Sequence, residues 1–356
     1  MNQPSLDFLK RLMSTISPSG FEGQATGVWL KEAEGFADRA YADQHGNAYA
    51  VVGAGGGPRV MLAGHIDEIG LMITYIDEQG YLYFSPIGGW DPQILQGQRV
   101  WIRTKTGQIT GVIGKKPIHL LKEEERTKAL KIEDLWIDVG AKDKAEAAEL
   151  VSIGDPAVLA YGFESLRNEL AVARGFDDKC GAFVVLEAAR LLAKLQPQAE
   201  IYAVATSQEE IGLRGARTSA YNVDPQVGLA VDVGFASDFP TMGEQKKRLG
   251  DVSLGQGPMI ARGANVNPLI FDLLLETAGA EKIPHQIVPA PRGTGTDANA
   301  IQLSRAGVAT GLISIPNRYM HSPCELVSLA DLENAAKLIA HTVVRIGPES
   351  DFVLAG

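Results

Sequence analysis

Apolar residues recur at helical spacing at the start of the chain, at Leu6, Leu9, Met13 and Ile16, and the turn-forming SPSG of residues 17–20 closes that segment. A second helix follows. The turn residues of DQHGN (43–47) and the glycines of VVGAGGGP (51–58) then bracket a short strand. Residues 59–63 form an apolar run of the buried-strand type, and it delivers the segment GHIDEIG at its C-terminal end.

Across residues 71–162 the pattern switches to short alternating segments, LMITYI, YLYFSPI, RVWIRT, QITGVIG and LWIDVG, separated by turns containing Gly and Asp. Repeated short strands at this spacing predict a small β-barrel or sandwich. The charged stretch KEEERTKALKIED (122–134) reads as an exposed loop. From residue 169 onward strands alternate with helices: helices over 183–195, 269–278 and 329–346, and strands over 201–205, 227–233 and 308–315. Such alternation means an α/β sheet with helices on its faces. The simplest organisation is one α/β domain built from residues 1–70 and 163–356, with a β domain, 71–162, inserted beside the active-site candidates.

Composition narrows the function classes. With 33 Lys+Arg against 43 Asp+Glu the formal charge is -10, which argues against a nucleic-acid surface and against a polybasic membrane contact. Two cysteines, Cys180 and Cys324, are too few for a disulfide framework. The N-terminal segment lacks a basic region followed by an apolar core, and no apolar stretch approaches the length of a membrane span. A cytoplasmic location is the expectation.

Five segments place His or acidic residues at the end of a predicted strand or on the turn after it: His65 and Asp67 in AGHIDEIG, Asp177 and Asp178 in GFDDKCG, Glu209 and Glu210 in SQEEIGLRG, Asp232 in AVDVG, and His321 in RYMHSPCE. In open α/β sheets such positions converge in the crevice beyond the carboxyl ends of the strands. Two divalent ions roughly 3.5–4 Å apart need about five ligands, one of them bridging, and a set of His, Asp, Glu, Asp and His supplies them. The absence of cysteine from the set favours exchangeable hydrolytic sites over structural zinc. Singly, an HxD, an EE or a DD is most often a capped turn or a solvated surface pair. Five in series, each after an apolar strand, make that reading improbable.

These segments, with GTGTDANA and YMHSPCELV, resemble the tetrahedral aminopeptidase family, also called glutamyl aminopeptidase, deblocking aminopeptidase and cellulase M, over almost the whole chain. The resemblance implies a phosphopeptidase-like three-layer α/β/α metallopeptidase domain with an inserted PDZ-like β-barrel used in oligomerisation. It further implies that His65 and Asp232 complete one metal site and Glu210 and His321 the other, with Asp177 bridging and a cis peptide between Asp177 and Asp178. Glu209 would be the general base, taking a proton from a metal-bridged water that attacks the scissile carbonyl, and Asp67 would support His65. Two Zn²⁺ or Co²⁺ ions, or Mn²⁺, are the implied cofactors, peptides with a free N-terminus the substrates, and a dimer assembling to a hollow dodecamer the implied homo-oligomer. Arg292, Gly295 and Thr296 are candidate substrate contacts; alternatively, their loop is an ordinary turn that caps the following helix. One departure from the family pattern is Lys179 where Arg is common after the DD pair, which keeps the charge and loses the planar fork. Rival readings are a metal-dependent deacylase or carboxypeptidase on the same site, an endoglucanase, which needs two carboxylates and aromatic platforms that a 7% aromatic content does not favour, and a non-enzymatic scaffold.

Overall fold

The protein is described from a computed structural model over residues 1–53 and 55–354. An eight-stranded sheet lies at its centre, with the strands in the order Arg39–Ala42, Ala48–Val52, Glu200–Thr206, Arg59–His65, Val227–Phe235, Ala309–Asn317, Met259–Gly263 and Gln286–Ala290. The middle four run parallel. The neighbours on either side, Ala48–Val52 and Met259–Gly263, pair antiparallel with them. The inner strands are buried along nearly all their length, as parallel strands covered on both faces must be.

Side chains alternate along a strand, so the register sorts the sheet into two faces. Leu62, Leu229 and Gly311 share one face. The helices Phe176–Leu195, Pro268–Ala280 and Leu329–Val344 cover it. Gly64 lies on this face and is needed there, because a Cβ on it would sit 2.4 Å from the carbonyl carbon of Gly181 in the first of those helices. The opposite face carries Ala63 and Ala230 and, toward the strand ends, His65, Thr206, Asp232 and Ser314. The helices Arg214–Val223 and Asp297–Ile301 cover only part of it. This is a three-layer α/β/α arrangement.

The inserted segment closes into a six-stranded barrel, Gly70–Ile76, Leu82–Ile87, Trp136–Asp138, Gly107–Gly114, Arg99–Thr104 and Pro156–Leu159 in spatial order. It has its own buried cluster, including Leu71, Ile73, Val100, Ile102 and Ile137, distinct from the core of the large sheet. The charged stretch 122–134, expected as a loop, is largely exposed but carries a short helix, Glu123–Arg126, and a 3-10 turn, Ile132–Asp134. A small sheet of Glu164–Ser165, Leu170–Ala173 and Glu325–Ser328 places Glu325 opposite Ala173, just ahead of the helix that bears Asp177. Among the described residues no helix is long and apolar enough to cross a membrane.

Candidate metal centre

The five segments meet at the C-terminal ends of the parallel strands. His65 is the last residue of its strand, Asp232 stands near the end of the next, Glu209, Glu210 and His321 follow two further parallel strands, and Asp177 and Asp178 arrive at the start of the helix Phe176–Leu195. Asp177 occupies the middle: its Oδ1 lies 3.2 Å from His65 Nε2 and its Oδ2 3.2 Å from His321 Nε2. Asp232 Oδ1 is 3.9 Å from His65 Nε2, and Glu210 Oε1 is 3.6 Å from His321 Nε2. One ligand atom each from His65, Asp177 and Glu210 lies within 4.8 Å of the others, as do those of His65, Asp178 and Asp232. Asp178 is otherwise engaged, however. Its Oδ2 accepts the main-chain N–H of His65 at 3.1 Å and its Oδ1 that of Gly181 at 3.1 Å. The Asp177–Asp178 peptide bond is cis.

Both imidazoles are held in the tautomer that metal ligation needs. His65 Nδ1 donates to the carbonyl oxygen of Asp67 at 3.0 Å, and His321 Nδ1 donates to that of Gly89 at 2.9 Å. A carbonyl only accepts, so each Nδ1 carries a proton and Nε2, turned toward Asp177, is the nitrogen that an ion would take. Gly89 follows the second barrel strand, so the inserted domain orients one of the two histidines.

The Asp67 carboxylate does more than face the imidazole. Its Oδ1 accepts the Glu209 main-chain N–H at 2.9 Å, and its Oδ2 accepts that of Glu210 at 3.1 Å and the Ser19 hydroxyl at 2.6 Å. Its approach to His65 Nδ1 is longer, 3.5 Å. Asp67 therefore sets the turn from which the two glutamates diverge, while its carbonyl and its carboxylate both face His65 Nδ1. Glu325 performs the matching task on the other side: its two oxygens accept the main-chain N–H groups of Asp177 and His321, each at 2.9 Å. Lys179, buried, donates to Glu68 Oε1 at 2.6 Å, and Arg174 donates to Glu68 Oε2 at 2.5 Å. Lysine suffices there because Arg174 takes the second carboxylate oxygen. Sequence reasoning missed Glu325, Glu68 and Ser19, since each acts on main chain or on a partner distant along the chain.

Left to themselves these groups repel. Burial, then the charges of Asp232, Asp297 and Glu210, push Glu209 up to about 10 against the pull of His65. Burial and Asp177 push Glu210 up to about 8. Burial disfavours the His65 imidazolium, yet Glu209, Asp177 and Asp67 together hold it well above the usual histidine range. Asp177 alone is held low despite its burial, between His321 and His65. A buried acidic excess of this kind calls for cations. Glu210 Oε1 is buried with no hydrogen-bond partner, so it is a ligand atom free to bind. The donor set of two imidazole nitrogens and several carboxylate oxygens fits two divalent ions of the zinc, cobalt or manganese kind. Adding Zn²⁺ or Co²⁺ to chelator-stripped protein is therefore expected to raise Tm by roughly 3–4 °C per ion at 100-fold excess over Kd, the value for about 2.7 kcal/mol of linkage in a chain of this size. An unshifted melting curve would remove the metal centre.

Arg292, Gly295 and Thr296 all line the cavity that contains the ligands. Thr296 stands at the N-cap position of the helix Asp297–Ile301 without a side-chain hydrogen bond to it. Its hydroxyl pairs instead with that of Thr294 at 2.8 Å. Asp297, buried, accepts from Thr206 Oγ1 at 2.5 Å and so ties this loop to the strand that leads to Glu209.

The model of the M42 glutamyl aminopeptidase family matches residues 46–338. A lysyl aminopeptidase of Pyrococcus furiosus is 38% identical over 345 residues, 96% of this chain and 97% of that protein. The crystal structure of a TET aminopeptidase from a marine sediment archaeon, Thaumarchaeota archaeon SCGC AB-539-E09, superposes with a TM-score of 0.91 at 36% identity, covering 96% of this chain and 97% of that one. The Pyrococcus horikoshii TET1 peptidase, which can assemble into a tetrahedron or a large octahedral shell, matches with a TM-score of 0.85 at 33% identity over 96% of this chain and 100% of that chain.

Proposed function

The chain belongs to the M42 glutamyl aminopeptidase family, and on that premise we propose how its residues divide the work of a co-catalytic two-metal aminopeptidase. His65 and Asp232 would hold one ion, Glu210 and His321 the other, and Asp177 would serve both. The observation that carries this assignment is Asp177, whose two oxygens stand at equal distance, 3.2 Å, from the Nε2 atoms of His65 and His321. When bound, an ion pair of this kind lowers the pKa of a water that it holds and polarises a carbonyl oxygen.

The chain's own residues supply the rest. Glu209 is buried, with Oε2 3.8 Å from His65 Nε2, and its neighbours leave it unusually basic. It accepts the proton of the attacking water and passes it to the departing amine nitrogen. Asp67 and Glu325 keep the carboxylates and His321 in register through the main chain, so Glu209 faces the water while Glu210, one residue on, faces His321. The Gly/Thr loop with Arg292, Gly295 and Thr296 lines the side on which substrate lies, with main-chain N–H groups available to a substrate carbonyl. The barrel, residues 71–162, completes the site through Gly89 and is the oligomerisation domain. A hollow assembly of dimers in the cytoplasm is the corresponding quaternary form, and the tetrahedron formed by the Pyrococcus horikoshii relative supports it.

Chelator-stripped protein is expected to be inactive on aminoacyl anilides and to regain activity with Co²⁺ or Zn²⁺, on substrates with a free amine only. Activity confined to N-acetylated copies would reassign the site to a deacylase. Cleavage at a free C-terminus would make it a carboxypeptidase.

A further inference from the structure

The cavity that holds the ligands, about 410 Å³ in volume, continues away from them across the uncovered part of the sheet. The register explains what floors it. Asp232 pairs with Ser314 and Ser314 with Met259, while Ala261 pairs with Val288, so their side chains share one face. Leu312 and Ala290 lie on that face by the same period-two alternation. Met259, Ala261, Val288, Ala290, Leu312 and Ser314 all line the cavity and are all 9% exposed or less. Gly234 makes room for the floor: a Cβ there would stand 2.7 Å from Met259 Cε. Leu249, half-buried at the end of the short helix Lys246–Leu249, forms part of the wall.

We propose that this floor receives the side chain of the substrate's first residue and selects unbranched or branched aliphatic and thioether side chains, such as leucine and methionine, over glutamate and lysine. The proposal rests on the aminopeptidase reading. In such an enzyme the first carbonyl lies at the ligand cluster and the rest of the peptide runs out to solvent, so the first side chain falls on the surface beside the cluster. Here that surface begins at Ser314 and Met259, level with Asp232, and is apolar beyond them. Among the described residues no charged side chain stands on the floor, and the Ser314 hydroxyl is its one polar side-chain group. A glutamate or lysine side chain would enter without a counter-charge, which is costly. Arg292, the cation on the cavity lining, is exposed at the rim, where an ion pair is screened by water. The flexible thioether of Met259 lets the floor accommodate apolar side chains of different shape.

The test is kcat/KM of the full-length, metal-loaded enzyme on leucyl, methionyl, alanyl, glutamyl and lysyl anilides. Leucyl and methionyl substrates are expected to exceed glutamyl and lysyl ones by about 100-fold, the scale on which sites reject side chains that they cannot pair. In Leu249→Lys the glutamyl substrate is expected to gain about 10-fold relative to the leucyl one, because an ammonium then stands in the wall. A wild-type preference for glutamyl substrates that Arg292→Ala removes would overturn the pocket and leave the aminopeptidase standing, as would a lysyl preference. Failure to cleave any free aminoacyl anilide would overturn the aminopeptidase reading and the pocket with it.

Discussion

Glu209→Gln is expected to lower kcat/KM by about 10²–10⁴-fold, the range that a positioned general base contributes, while both metal equivalents remain bound. The substitution preserves shape and leaves the main-chain N–H of residue 209 on Asp67 Oδ1, so the turn that places Glu210 stays in register. What it removes is an oxygen able to take a proton. Burial and the surrounding carboxylates push Glu209 up to about 10, and bound cations would bring that value down toward the working range of a base at neutral pH. The neutral amide has no such state. Kinetics on a free aminoacyl anilide, paired with metal analysis of the same sample, decide the role. Near wild-type turnover would remove Glu209 as the base, and loss of a metal equivalent would make it a ligand.

His65, Glu209 and Asp232 were legible in the sequence because each stands on or just after a strand whose apolar run is unmistakable. Residues 59–63, 201–205 and 227–233 are buried parallel strands, and their C-terminal ends are where an α/β sheet concentrates its chemistry. The insertion was equally visible, because strand alternation replaces the strand–helix rhythm at Leu71. Among the strands that were not visible are Met259–Gly263 and Gln286–Ala290. The first is flanked by Gly257 and Pro258 and contains Arg262; the second contains Pro289 and is followed by Pro291. Proline and glycine speak against a central strand, and here they mark the outer strands of the sheet. These are the strands that build the apolar floor, so the part of the site that bears on side-chain preference is the part the sequence hid.

The supporting carboxylates were hidden for a different reason. Asp67 and Glu325 act by accepting main-chain N–H groups from segments far away in the chain, and no spacing rule connects Glu325 to Asp177. Residue type alone would assign Asp67 to its neighbour His65, and its carboxylate also accepts the main-chain N–H groups of Glu209 and Glu210. Lys179 is similar: its partner Glu68 and the companion Arg174 are adjacent only once the helix Phe176–Leu195 has docked on Gly64.

Asp177→Asn is expected to reduce bound metal from two equivalents to about one and to lower kcat/KM by about 10³-fold. The carboxylate is symmetric in its use, one oxygen facing each Nε2 at 3.2 Å, and the amide is not. One side keeps an oxygen that can ligate. On the other side an NH₂ group faces Nε2, the imidazole nitrogen that an ion would take, since Nδ1 is engaged with a carbonyl. That NH₂ donates to Nε2 and occupies the lone pair that an ion would use. Loss of one Lewis acid removes several kcal/mol of charge stabilisation, and about 4 kcal/mol corresponds to about 10³-fold. The main-chain N–H of residue 177 stays on Glu325, so the fold is retained. Glu209→Gln and Asp177→Asn then separate proton transfer from metal occupancy: the first keeps two equivalents and the second keeps one. Two equivalents retained in Asp177→Asn would mean that the bridge lies elsewhere among the carboxylates, and none retained would mean that neither ion binds without the other.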